Sequence, residues 1–273
     1  MKRLKIRRPV VAGQFYPSTA QEINEQISSF VDSNAQKENA LACMLPHAGY
    51  LYSGKVAAQT ISRINLRNRI ILLGPNHTGK GEAFSIMTEG LWQTPLGDIE
   101  IDSVLAKDLL NNSNFLKDDA LAHTDEHSLE VELPILQYFK ADFKIIPIAF
   151  RGEDPDTLKK IGTELAALLK KKDNLDSTLI VASSDMTHYE PQEDAKRKDN
   201  EAIQAILALN EDKLLERIVN LNISMCGYAP VIAMLTAVKL LGAKEAKLIS
   251  YQTSASVTKD NESVVGYAGI VIN

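Results

Sequence analysis

Cysteine is nearly absent from this chain: two thiols, Cys43 and Cys226, stand among 273 residues. Two cysteines make no disulfide framework, and a reducing, cytoplasmic compartment is the natural setting for them. Aromatic residues are scarce as well, at 6%, which argues against a base-stacking surface. Positive charge is not in excess either. Thirty Lys and Arg face 35 Asp and Glu, a net charge of −5, so a general phosphate-backbone binder is disfavoured and no nucleic-acid partner is expected. No run approaches the roughly 18 uninterrupted apolar residues of a spanning helix, so no membrane association is expected. The basic opening, MKRLKIRRPVVAG, has no long apolar stretch behind it and reads as neither signal peptide nor anchor. Repeats, low-complexity tracts and Pro/Gly/Ser-rich linkers are missing too, and one domain over residues 1–273 is the organisation expected.

What the chain does contain is an alternation of two patterns. Short, apolar, β-branched runs at 40–46, 69–75, 84–89, 143–150, 177–184, 246–252 and 264–272 lack strict polar alternation, as strands covered on both faces do. Between them lie helical stretches. Residues 17–33 carry Thr19 ahead of Glu22 as a capping box, and 154–171 place Leu158, Ile161, Leu165 and Leu168 on one stripe. Residues 200–221 and 229–241 also read as helices, the second apolar nearly all round. The pattern predicts an α/β protein with a central mixed, largely parallel sheet covered by helices on both faces. Residues 90–127 are the least regular and read as a hairpin, a short helix and a loop inserted into that core.

Three of the five histidines follow strands. The first run leads to Pro46-His47-Ala48-Gly49, the second to Pro75-Asn76-His77-Thr78-Gly79, and 177–184 to Asp185-Met186-Thr187-His188. Ligands in open α/β sheets bind outside the carboxyl ends of the strands, so parallel neighbours would bring these side chains to one edge. Neutral imidazole binds divalent transition metals and titrates near neutral pH. Asp185 has two readings: it orients His188 three residues on, or it (or Thr187) caps a helix over PQEDAKRK. The i, i+4 pair His123 and His127 lies at what looks like a helix start, with His123 still in the loop, so a shared metal face is not expected. Glu126, His127 and Glu130 read either as acid and imidazole beside the pocket or as a solvated helix start, and spacing alone favours the latter. Cys226 stands at or near a helix N-terminus, where the macrodipole favours thiolate, although a buried structural cysteine is the commoner case. Cys43 falls mid-strand and fits that case better.

Seven segments taken together, AGQFYP, PHAGYLYSG, LLGPNHTG, W-x-TPLG, DEHSLEVELP, SSDMTHY and MCGYAP, resemble in order and spacing the Memo family. In prokaryotes this family is also called protein B of the AmmeMemoRadiSam system, and the resemblance runs from about residue 8 to the end. It implies a fold like that of class III extradiol dioxygenases, which are non-haem iron enzymes. It further implies that His47 and His77 are imidazole metal ligands, with Cys226 in the place of those enzymes' carboxylate. His188 would stand as catalytic acid/base with Asp185 beside it, His127 near the same pocket, and Phe15, Tyr16, Tyr50 and Glu130 as pocket residues. The thiolate departs from the dioxygenase pattern and puts ring cleavage in doubt, since it is softer and more easily oxidised than a carboxylate. The implied cofactor is a divalent or redox metal ion, iron first, with copper and zinc as alternatives. The implied partners are a radical-SAM protein and a second small component of the system.

Three functions follow. The first is a metal-dependent oxidoreductase. The second is a non-enzymatic module on a dioxygenase-like fold that binds a peptide or small anion. The third is a zinc hydrolase in which Asp185 or Glu130 activates water.

Overall fold

The computed structural model describes residues 5–171 and 174–273. In chain order its strands are β1 (Ile6–Arg7), β2 (Ala42–Leu45), β3 (Arg69–Pro75), β4 (Phe84–Ile86), β5 (Leu91–Thr94), β6 (Gly97–Glu100), β7 (Lys117–Asp118), β8 (Lys144–Phe150), β9 (Thr178–Ser183), β10 (His188–Glu190), β11 (Ala246–Thr253) and β12 (Val264–Ile272). The helices are α1 (Ala20–Ser28), α2 (Tyr50–Ser62), α3 (Ser103–Asn112), α4 (Glu132–Phe139), α5 (Pro155–Leu169), α6 (Gln192–Leu207), α7 (Glu211–Asn220), α8 (Tyr228–Leu241) and α9 (Ala255–Thr258).

One large sheet runs in the order β10-β12-β2-β9-β3-β8-β4-β7, with β11 paired to β12. Its centre, β2-β9-β3-β8, is parallel throughout, while β12 joins antiparallel to β2 and β11, and β4 joins antiparallel to β8 and parallel to β7. The sheet is therefore mixed and largely parallel, as the uninterrupted apolar runs require. Its central strands are buried from end to end: every residue of β2 and β9 is buried, and all of β3 after Arg69. Helices cover both faces. On β12, Gly269 lies against Val56 and Thr60 of α2, whereas Gly266, three residues earlier and so on the other face, lies against Asp199 of α6. A methyl group at either glycine would collide with those helices, so the glycines set how closely the helices approach. The hairpin β5–β6 pairs with β1 in a separate three-stranded sheet, and α3 and a 3-10 turn at Leu121–His123 follow it. The hairpin, helix and loop expected over 90–127 are thus present.

Several boundaries differ from expectation for identifiable reasons. The stretch 200–221 is two helices rather than one. Leu209 takes the left-handed backbone (φ 51), and the Asn210 side chain accepts from the Lys213 amide, which starts α7 afresh. The first helix does begin at the Thr19 cap, whose hydroxyl accepts from the Glu22 amide, but it stops at Ser28. The helix expected to be capped by Asp185 or Thr187 begins at Gln192 with Pro191 in the cap position, because β10 (His188–Glu190) follows Thr187 directly and the Asp185 carboxylate accepts from the His47 amide. The helix α2 was not legible at all: YLYSGKVAAQTIS carries tyrosines, serines and a glycine at its start, and only burial against the sheet makes it regular.

Candidate metal centre

Because β2, β9 and β3 are parallel neighbours, their carboxyl ends lie on one edge of the sheet, and the residues that follow each strand meet there. His47 arrives two residues after β2, His77 two after β3, and Cys226 from the turn that precedes α8. Their ligand atoms all lie within 4.8 Å of one another. The rings of His47 and His77 stand 5.2 Å apart, edge to face, and His47 Nε2 is 3.3 Å from Cys226 Sγ.

His47 is 2% exposed and held at three points. Its backbone amide donates to Asp185 Oδ1 (2.9 Å), its Nδ1 meets Ser183 Oγ (2.7 Å), and its Nε2 faces the Cys226 sulfur. Burial, followed by the neighbouring imidazoles of His77, His127 and His188, drives its pKa well below the ordinary histidine value. The ring is therefore neutral, the form that binds a metal.

His77 is oriented by Glu126. The His77 Nδ1 lies 2.9 Å from Glu126 Oε1, and its amide donates to the other carboxylate oxygen. Burial alone would raise the Glu126 carboxyl, but the His77 hydrogen bond, with the Ser128 amide and His127, outweighs it and holds the pKa down to about 2. A permanent carboxylate behind the imidazole is the usual way a metal-ligating histidine has its tautomer and angle fixed. His127 completes the cup. Its ring stacks on His77 at 4.8 Å, stands 5.6 Å from His47, and is held from outside by the edge of Phe15 at 4.9 Å. His77, Glu126 and His127 also bring ligand atoms within 4.8 Å of one another, although Glu126 already accepts three hydrogen bonds.

Cys226 sits at the N-terminal end of α8, yet burial, then the nearby Asp185 carboxylate, pushes its thiol well above the usual range. Desolvation exceeds the helix-dipole effect here, and without an ion the group is a thiol. Gly227 makes its position reachable: a Cβ there would lie 2.3 Å from the Ser183 carbonyl oxygen. Cys43, by contrast, is buried within β2 and is structural.

Asp185 does not orient His188 by a hydrogen bond. Its carboxylate accepts from the His47 amide, and burial raises its pKa against the opposing influence of His188. The His188 ring is held instead by the Ser224 carbonyl, 2.8 Å from Nδ1, and its amide donates to Ser224 Oγ. That contact makes Nδ1 the protonated nitrogen and leaves Nε2 free to exchange a proton.

Three residues expected to line the pocket support it from behind. Glu130 is fully buried, with its oxygens taken by Arg7 (2.5 Å), the Tyr16 hydroxyl (2.6 Å) and the Val10 and Val11 amides. Those partners leave it no role in activating water. Tyr16 spends its hydroxyl on that carboxylate, and Tyr50, 1% exposed, donates to the Val131 carbonyl. The reason is the same for all: the DEHSLEVELP segment is not a helix start in solvent. Residues 125–131 are an inward-turned loop that leads into the first turn of α4, and Glu126 and Glu130 of the loop and Glu132 of the helix are each at most 1% exposed. Arg7, Ser183, Ser224 and Glu132 were not recognisable from sequence; their only signal is proximity to the histidine-bearing segments.

Two imidazoles and one sulfur on convergent strand ends suit a divalent or redox-active transition ion, and the softness of sulfur favours iron, copper or zinc over magnesium or calcium. The fold and this donor set define an α/β protein with a His–His–Cys metal-site geometry at the carboxyl edge of its sheet. Comparison with known proteins places it further. Residues 7–271 match the Memo-like protein family. MEMO1 family proteins of Methanocaldococcus jannaschii (43% identical over 289 residues), Methanosarcina barkeri (43% over 269) and Methanopyrus kandleri (40% over 279) cover 97–98% of this chain and 98–100% of their own. The chain belongs to the Memo-like family. A crystal structure of an uncharacterized protein from Escherichia coli K12 superposes with a TM-score of 0.54 at 16% identity, over 83% of this chain and 98% of that one, a likeness of fold.

Proposed function

We propose that this protein is a metal-dependent oxidoreductase on a class III extradiol dioxygenase-like fold, with His47, His77 and Cys226 as ligands of a redox metal. The observation that carries the reading is the convergence of those three ligand atoms within 4.8 Å. Iron is the first candidate, with copper and zinc as alternatives. Bound there, iron or copper would supply Lewis acidity and a redox couple, and zinc Lewis acidity alone, with coordination positions left open beyond the three protein ligands.

The chain's own groups divide the remaining work. His188 exchanges a proton at Nε2, since Ser224 holds its Nδ1. His127 and Phe15 wall the cup beside His77 and keep water from that side. Asp185 fixes the His47 backbone through the His47 amide. The family resemblance supports a radical-SAM protein and a second small component as partners. A reducing cytoplasmic setting is proposed because an oxidisable thiol ligand needs one; among the described residues no helix is long and apolar enough to cross a membrane.

The test is anaerobic reconstitution with ferrous iron, cuprous copper or zinc, followed by dioxygen consumption over a substrate panel. The proposal expects His188→Ala to keep its metal and lose on the order of 10²–10⁴ in turnover. A redox-inert, zinc-only protein whose turnover is indifferent to His188 would contradict it.

A further inference from the structure

Behind His47 lies a second buried acid. The Ser183 hydroxyl has three polar neighbours: His47 Nδ1 at 2.7 Å, the Ser128 carbonyl oxygen at 2.8 Å and Glu132 Oε1 at 2.8 Å. A hydroxyl has one proton to give and two lone pairs. The Ser128 carbonyl can only accept. If Ser183 gives its proton there, both other contacts must bring a proton to Ser183: one from Nδ1–H of His47, the other from a protonated Glu132. Any other assignment leaves the carbonyl, the acid or the His47 Nδ1 facing the Ser183 oxygen with no hydrogen between them.

Three further observations agree with that assignment. Glu132 is fully buried, its second oxygen has no hydrogen-bond partner, and Asp185, the charged neighbour acting on it, has the same sign. An ionised carboxylate in that position would lack any compensating charge. With Nδ1 protonated, His47 presents a lone pair at Nε2, and the Cys226 sulfur lies 3.3 Å away to donate its thiol proton to it. The donors thus converge on Ser183, from Cys226 through His47 on one side and from Glu132 on the other, and the Ser183 hydroxyl gives its own proton to the Ser128 carbonyl.

We propose that Glu132 is a positioning residue for His47: a neutral carboxylic acid that donates to Ser183 Oγ, pins that hydroxyl, and so locks His47 with Nδ1 protonated and Nε2 turned to the metal position. The inference rests on the His47/His77/Cys226 reading for its functional meaning. Glu132 itself touches no ligand atom; it acts through Ser183.

The full-length chain tests this in two arms. Without metal, ¹⁵N spectra of the histidine rings report the His47 tautomer, and infrared difference spectra between the wild type and Glu132→Gln report whether Glu132 is a protonated acid. The expected result is an Nδ1–H tautomer and a carboxylic C=O band that the variant lacks. A carboxylate band at neutral pH, or the opposite tautomer, overturns the proposal. In the second arm cobalt(II) affinity and its visible spectrum are measured. Glu132→Gln, whose amide N–H replaces the acid O–H, should keep both. Ser183→Ala and Glu132→Leu should weaken binding on the order of 10- to 100-fold and shift the spectrum. Glu132→Leu should not lower stability, since it removes a buried oxygen, Oε2, that has no partner, while Ser183 keeps its bonds to His47 and the Ser128 carbonyl; unchanged affinity in that variant overturns the proposal. If Glu132→Leu fails to fold, Ser183→Ala and Glu132→Gln decide. A wild type that binds no cobalt defeats the metal reading instead, and the metal-free spectra then decide the His47–Glu132 link alone.

Discussion

Cys226 and His47 are 179 residues apart in sequence, yet Sγ and Nε2 meet at 3.3 Å. Nothing but the parallel order of β2 and β9 and the close seating of the turn before α8 brings them together. The sulfur is the component that sets this donor set apart from an all-nitrogen or carboxylate site. Cys226→Ser should therefore lose the sulfur-to-metal charge-transfer band of the cobalt(II) protein and favour harder ions, while the fold, read by circular dichroism, stays intact.

The seating of that turn depends on Gly227. An alanine methyl there would sit 2.3 Å from the Ser183 carbonyl oxygen and 2.5 Å from Ser184 Cβ, both at the carboxyl end of β9. Gly227→Ala should displace Cys226 from His47. We expect metal affinity to fall on the order of 10-fold or more, a loss in the range that misplaced ligand support produces, as measured by competition with a chromophoric chelator.

Arg7 and Glu130 form an ion pair at 2.5 Å in which both side chains are almost completely buried, and the Arg7 guanidinium also lies over Trp92 at 4.4 Å. The Arg7 Nε and Nη2 donate to the carbonyls of His123 and Glu126, so one side chain ties the start of the chain to the loop that carries His127. Arg7→Met leaves a buried carboxylate without its cation and should cost about 3–5 kcal/mol in denaturant unfolding. Rim ion pairs such as Lys80–Asp125, half exposed on both sides, should cost under about 1 kcal/mol when broken.

His123 gives a pH signature distinct from the metal ligands. Burial, then the Arg7 charge, lowers its pKa to about 4, against the opposing pull of Asp119. An unfolded histidine titrates near about 6.5. Because the folded value is the lower one, the unfolded chain binds the proton better. The stabilisation is complete above about pH 6.5 and is lost as the pH falls through about 4, a total of about 3 kcal/mol. Unfolding free energies of the wild type and His123→Gln across that interval should converge as the pH drops; parallel curves would contradict the assignment.

The architecture was readable because buried strands and amphipathic helices leave strong periodic marks, and the strand-end histidines were readable because a polar loop after an apolar run is conspicuous. His47 and His77 lie where that pattern put them, and Cys226 where the family resemblance put it. What stayed hidden has a common physical origin. Glu126, Glu130 and Glu132 look like a solvated acidic stretch until Arg7, 119 residues before the first of them, and the strand-end hydroxyl of Ser183 are brought alongside. Long-range compensation of charge has no local sequence mark. The same holds for α2, whose tyrosines and serines favour no helix until the sheet covers them, and for the Leu209–Asn210 break between α6 and α7, which turns on one left-handed residue.

Metal content of protein purified without chelators, set beside His47→Ala, His77→Ala and Cys226→Ser and with the bound element identified by anomalous scattering, decides whether these three side chains hold an ion. Close to one transition-metal ion per chain is expected in the wild type, located between the three ligand atoms, and none retained in either histidine variant. Equal metal in the wild type and the histidine variants, or an ion bound elsewhere in the molecule, would contradict that expectation.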